Sequence, residues 1–284
     1  MFPTRRQFLA TTLAAGAAFS VQRASAVETP AQCHYPVGTC MLDLIGAKKA
    51  GLDGVQIPVS LAGDDLDVAN AGVRAAYQEK KHATGLPISS FSITNLCQYP
   101  LAIDTRAPRW LRQAIDAASE LEARVILAPF FEQADLLTKD GKLKEDEVDE
   151  VVKRLKDAAR RAQDAGVVLA IENYIDASDN LRLLDRIGHA SVQVYYDVYN
   201  LGITRERDVP AEIRSLKGRI AEFHFKNGPQ FLGEGKLPFE PIAKTIKEID
   251  YRGWIVLETS SPSGDPIADA DRNGQFTRRL FETT

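Results

Sequence analysis

Residues 220–235 read IAEFHFKNGPQFLGEG. The segment opens as a short apolar strand, passes through His224 and Lys226, and breaks into a Gly/Pro loop. Two residues apart on a strand, His224 and Lys226 point to the same face. A single buried histidine is ordinarily a satisfied core residue. This one stands where a strand runs out into a loop, and acids end three other strands in the same half of the chain. They are Glu172 after VVLAI, Asp197 after VQVYY and Glu258 after GWIVL. One imidazole and three carboxylates at strand ends form a ligand set for a divalent metal ion.

Working outward, strand-like and helix-like segments alternate. Strands are predicted at 33–37, 54–59, 87–93, 124–128, 167–171, 192–196, 220–225 and 254–257. Helices are predicted at 42–50, 67–84, 109–121, 146–165, 181–187, 210–216, 238–249 and 267–281. Gly51, Gly85 and Gly166 follow three of these helices, where a left-handed residue usually stops them. The clearest helix, 146–165, lines up Val148, Val151, Val152, Leu155, Ala158, Ala159 and Ala162 on one face. Eight strands alternating with eight helices predict an α/β fold, a (β/α)₈ TIM barrel in one domain. The alternative is a doubly wound open sheet. It ordinarily carries a Gly-rich phosphate loop after its first strand, and Val37-Gly38-Thr39-Cys40 is not one.

In a barrel, sites lie at the C-terminal ends of the strands. Glu172, Asp197, His224 and Glu258 end the fifth to eighth strands, so four successive strands aim ligand-type residues at one mouth. Each acid alone reads as a solvated loop charge. The four together read as a site.

The chain has 284 residues, 44% hydrophobic and 26% charged, with a net charge of −4. This is globular composition with enough length for one large core, and the charge gives no attraction for nucleic acid. Residues 1–26 are set apart. Arg5-Arg6 precedes an apolar run, and Ala24-Ser25-Ala26 is a small-x-small cleavage signature. The twin arginine resembles a Tat signal, which exports folded proteins. The run is short for a stable membrane anchor. The expected mature domain, 27–284, is periplasmic or otherwise exported. Losing Arg5, Arg6 and Arg23 takes the net charge from −4 to −7. Of the three cysteines, Cys33 and Cys40 could form a bridge if export takes the chain to an oxidising compartment. The odd count argues against a disulfide framework.

Several motifs resemble the xylose isomerase-like barrels, the sugar phosphate isomerase/epimerase superfamily that includes ketose 3-epimerases, hydroxypyruvate isomerase and inosose dehydratase. AKKAGLDGV at 47–55 is similar to the family's first helix–strand junction. LGEG at 232–235 with Phe239, then YRGW at 251–254 leading to Glu258, is similar to its C-terminal signature. The resemblance covers most of the mature chain.

It implies one divalent ion, Mn²⁺ or Mg²⁺ by the hardness of the donors, held by Glu172, Asp197, His224 and Glu258. It implies that Glu172 and Glu258 also act as acid and base on a small carbohydrate. A carbonyl and neighbouring hydroxyl on the ion would stabilise the enediolate left by proton removal. The implied activity is an isomerase or epimerase of a sugar or keto-sugar. A lyase or dehydratase on a keto-sugar or glycoside, or a non-catalytic carbohydrate-binding barrel, are the alternatives. Apurinic endonucleases share the barrel but need more histidines than the four present.

The chain departs from the ketose epimerases at Asn200, where they often carry histidine, at Ser178, where they tend to carry an acid, and at Gln56, where glutamate is common. Lys226, Asn200 and Gln56 are the candidate substrate contacts.

Overall fold

The computed structural model describes residues 35–283. The signal segment 1–26, the expected start at Val27, and Cys33 with its bridge to Cys40 lie outside the described residues. Eight parallel strands close into a barrel in chain order: β1 (Val37–Thr39), β2 (Gly54–Pro58), β3 (Ile88–Ser92), β4 (Val125–Pro129), β5 (Val168–Glu172), β6 (Val192–Asp197), β7 (Ile220–Phe225) and β8 (Ile255–Leu257). β1 pairs with β8 and seals the ring, Val37 opposite Ile255. Among the described residues eight α-helices follow the strands: α1 (Leu44–Lys49), α2 (Ala71–Thr84), α3 (Ala107–Glu120), α4 (Glu145–Asp164), α5 (Ala177–Ile187), α6 (Val209–Ser215), α7 (Phe239–Glu248) and α8 (Pro266–Thr283). The expected TIM barrel is the observed fold. Among the described residues no helix is long and apolar enough to cross a membrane.

Local chemistry sets the helix ends. α4 carries Glu145, Asp146 and Glu147 in its first turn, where the helix dipole favours acids. Its apolar face buries Val148, Val151, Leu155, Ala158, Ala159 and Ala162 against the sheet. α5 begins earlier than predicted because Asp176 accepts the Asp179 N–H at 2.8 Å and caps it. The predicted helix 67–84 divides in two. Asn70 is extended and accepts the Gly72 N–H at 2.7 Å, so it ends a short 3₁₀ turn and starts α2.

Residues 61–66 form a small antiparallel hairpin that alternation alone does not announce. It is pinned from outside. Trp110 donates its indole N–H to the Asp64 carbonyl at 2.8 Å, and Arg109 pairs with Asp65.

Side chains alternate between the lumen and the helix layer. On β7, Phe223 and Phe225 face outward and are fully buried, while Glu222 and His224 face inward. Val125, Leu127, Ala170, Tyr195 and Val256 fill the lumen below the mouth, with Trp254 against them. Gly54 is required there: a Cβ would meet the Trp254 ring at 2.7 Å and the Pro87 carbonyl at 2.9 Å.

Candidate metal centre

Four strand ends deliver the site. Glu172 and Asp197 are the last residues of β5 and β6, His224 is next to last on β7, and Glu258 directly follows β8. The sheet register places Asp197 beside His224, and the Glu258 N–H donates to the Phe225 carbonyl at 3.0 Å. One donor atom from each of Glu172, Asp197, His224 and Glu258 lies within 4.8 Å of the others. His224 Nδ1 is 3.1 Å from Glu172 Oε1 and 3.5 Å from Glu258 Oε2.

Asp197 is divided between two tasks. Its Oδ1 accepts the N–H groups of Tyr199 and Asn200 at 2.7 and 2.8 Å. Its Oδ2 is buried and has no hydrogen-bond partner. An orphaned carboxylate oxygen facing two further carboxylates and an imidazole nitrogen is what a cation-binding centre requires.

The charges say the same. Burial, then repulsion from Glu172 and Glu258, pushes Asp197 up to about 8. Burial opposes charge on His224, but Glu172 and Glu258 hold its pKa well above the ordinary value. Burial also opposes ionisation of Glu258, yet His224 and Lys226 outweigh it and hold its carboxyl below the usual range. Lys226 Nζ sits 3.1 Å from Glu258 and 3.9 Å from Asp197. Protons and one lysine therefore balance these carboxylates, a role a divalent ion fills better. The donor set, three carboxylates and one imidazole, fits one divalent metal ion.

The other candidates take different places. Asn200 is buried and reaches the cluster through its backbone N–H on Asp197. Gln56 is nearly sealed from solvent, lines the cavity beside the cluster, and has its Oε1 3.2 Å from His224 Nε2. Its Nε2 donates to Ser90 Oγ and to the Tyr195 hydroxyl, both at 3.0 Å. Ser90 donates in turn to Glu222 Oε2 at 2.7 Å. Burial pushes the Glu222 carboxyl up to about 7, against the Ser90 hydrogen bond and the neighbouring Tyr195 hydroxyl. The Tyr195 ring packs 4.4 Å from the His224 ring.

The sequence reading missed Ser90, Tyr195 and Glu222. The signal was available: Glu222 and Tyr195 are two residues below His224 and Asp197 on the same faces, and strand alternation turns all four into the lumen.

Above the cluster opens a cavity of about 310 Å³. Glu172, His224 and Glu258 form part of its wall; Pro58 of β2, Leu127 and Pro129 of β4, and Phe131 just beyond β4 form an apolar part. Cys40 and Cys97 also line it, and among the described residues no arginine or lysine does.

The sequence pattern of the xylose isomerase-like TIM barrel family matches residues 46–280. The chain is 26% identical over 125 residues to the D-psicose 3-epimerase of Enterocloster bolteae, a match spanning 41% of this chain and 41% of that enzyme. It is 27% identical over 243 residues to a putative L-ribulose-5-phosphate 3-epimerase of Escherichia coli, across 76% of this chain and 82% of the other. The crystal structure of a D-allulose 3-epimerase from Methylomonas sp. superposes with a TM-score of 0.71 at 18% identity, covering 87% of this chain and 98% of that one. With the family pattern spanning the barrel from its first helix to its last, this chain belongs to the xylose isomerase-like TIM barrel family.

Proposed function

We propose that the protein is a divalent-metal-dependent isomerase or epimerase of a non-phosphorylated keto-sugar, acting by proton transfer at the carbon next to a carbonyl. The observation that carries this reading is the convergence of Glu172, Asp197, His224 and Glu258 within 4.8 Å at the barrel mouth. The epimerase relatives support the reaction class.

Those four residues would hold the ion, Mn²⁺ or Mg²⁺. The bound ion supplies Lewis-acid polarisation of the sugar's carbonyl and adjacent hydroxyl. Glu258, held ionised by His224 and Lys226, is suited to take the proton. Glu172, across the cluster on β5, is suited to return one from the other side. Lys226 keeps Glu258 in place through its 3.1 Å ion pair.

The substrate is read as non-phosphorylated, unlike the one in the name of the Escherichia coli relative. A phosphate calls for cations or a free helix N-terminus; among the described residues the cavity lining holds no arginine or lysine, and Lys226 beside it is paired with Glu258. The twin-arginine segment supports an exported enzyme, outside the compartment where sugar phosphates are made.

A second reading, a lyase acting on a keto-glycoside, is favoured by one feature. Pro58, Leu127, Pro129 and Phe131 offer an apolar wall to a substituent that a free sugar lacks.

Incubation of the Mn²⁺-loaded protein with keto-sugars in deuterated water tests both. Isomerisation or epimerisation places deuterium next to the carbonyl. Release of an aglycone without such exchange selects the lyase. Glu258→Gln should leave the fold intact and cut turnover by about 10²–10⁴-fold, the usual worth of a positioned acid–base group. A clear preference for phosphorylated sugars would overturn the substrate class, and sugar binding without any turnover would overturn the enzyme reading.

A further inference from the structure

The two ring nitrogens of His224 face different partners. Nδ1 joins the carboxylate cluster, and Nε2 faces Gln56 Oε1. A nitrogen can ligate an ion only through a free lone pair, so ligation through Nδ1 requires the proton on Nε2. Gln56 then accepts that proton.

A glutamine amide can sit either way round. Reversed, its NH₂ would face Nε2, demand a lone pair there and drive the ring proton onto Nδ1. Something must therefore fix the amide. Its Nε2 donates to Ser90 Oγ and the Tyr195 hydroxyl, but a hydroxyl can accept from an NH₂ or donate to a carbonyl oxygen. Neither hydroxyl alone decides.

Glu222 decides. The Ser90 proton is committed to Glu222 Oε2 at 2.7 Å, which leaves only Ser90 lone pairs for Gln56. Tyr195 is the register neighbour of Glu222 on the adjacent strand, and the second oxygen, Oε1, is buried with no hydrogen-bond partner, so the Ser90 hydrogen bond is the contact through which Glu222 acts.

We propose that Glu222, Ser90 and Gln56 form an orientation relay that holds His224 as the Nε2–H tautomer and presents Nδ1 to the divalent ion. Glu222 and Gln56 are positioning residues; neither is a ligand. The inference rests on the metal site read above. The relay needs an oxygen acceptor at position 222 and at position 56, and does not need a charge at either.

Calorimetric titration with Mn²⁺ and ¹⁵N NMR of the histidine rings in the Mg²⁺-loaded wild type test it. The wild type should show His224 protonated at Nε2. Gln56→Met and Glu222→Met should each weaken Mn²⁺ binding about 10–100-fold, the usual cost of losing a partner behind a metal-bound histidine. The double variant should lose no more than Gln56→Met alone, because both act through one chain of bonds. Glu222→Gln and Gln56→Glu, which keep an oxygen acceptor, should bind within about threefold of the wild type, well short of that loss. Additive losses, full affinity in Glu222→Met, or an Nδ1–H ring in the loaded wild type would overturn the relay while leaving the metal site standing. The NMR result needs no variant to fold. A wild type that takes up neither ion would overturn the metal site itself, and the relay with it.

Discussion

At the scale of single residues, the cluster trades stability for ligation, and Asp197 shows it most clearly. Oδ1 caps the turn through Tyr199 and Asn200, whereas Oδ2 is buried among like charges with no hydrogen bond. Asparagine keeps the capping oxygen and replaces the orphan with an NH₂ that suits neighbouring carboxylates. The metal-free Asp197→Asn protein should therefore melt no lower than the wild type. The pH dependence follows from the sign of the shift. Burial raises the folded pKa from the ordinary 3.8 to about 8, so the folded state holds its proton longer than the unfolded chain does. Wild-type stability falls as pH rises through that window and levels above it. The advantage of Asp197→Asn should thus widen from about pH 4 to about pH 8 and then stay constant. Added Mn²⁺ should raise the wild-type melting temperature, by about 2.7 kcal/mol of stability at a hundredfold excess over Kd, and leave the variant unmoved. Melting curves with and without Mn²⁺ at several pH values check this. A metal-free variant that melts several degrees below the wild type would mean that Oδ2 has a structural partner.

Among the elements, the β3–α3 connection is held by charge rather than by regular structure. Arg106 stacks between Tyr99 and Trp110, its guanidinium 5.0 and 4.9 Å from the two rings, and pairs with Asp104 at 2.8 Å and Asp64 at 2.9 Å. Arg154 of α4 donates to the carbonyls of Leu101 and Asp104. Hydrogen bonds from Arg106 hold the Asp104 carboxyl below its ordinary value. A depressed folded pKa stabilises above the unfolded pKa, and that contribution is lost as pH falls through the folded one. Asp104→Asn should cost about 1 kcal/mol at pH 7. Thermal scans should show the loss shrinking as pH falls below about 4, the ordinary aspartate range; a loss constant down to pH 2 would rule this account out. Such a connection is opaque in sequence, because nothing in residues 94–106 repeats with a strand or helix period. The strands and helices were legible for the opposite reason. Each of them buries one face, so its period is written in residues such as Val148, Val151, Leu155 and Ala162. The ligand set was legible because four donors end four consecutive apolar runs. The relay behind it was legible only in part: alternation turns Glu222 into the lumen and Gln56 stands out as a departure from the ketose epimerases, but Ser90 carries no signal, and the bonds among the three form only when the barrel closes and brings β2, β3 and β7 within hydrogen-bond reach.

For the whole molecule, closure and site are one event. β1 meets β8 to seal the ring, and the fourth carboxylate, Glu258, follows β8 within 27 residues of the C-terminus. No partial barrel holds the ligand set. This gives the twin-arginine segment a physical meaning, since the route it resembles carries folded proteins. We expect the chain to close and take up its ion before export, so that a precursor retained in the cytoplasm is already loaded and active. Exported wild-type protein should begin at Val27, after Ala24-Ser25-Ala26, as N-terminal sequencing would report. Replacing both Arg5 and Arg6 by lysine should hold the chain inside the cell with its N-terminal segment intact, while metal content and turnover per molecule stay at the exported level. Residues 1–26 contain no histidine, cysteine, aspartate or glutamate, so their retention should leave the metal content unchanged. Wild-type protein recovered only from the cytoplasm with Met1 in place would overturn the export reading. A retained precursor that is folded but metal-free would place loading after translocation instead.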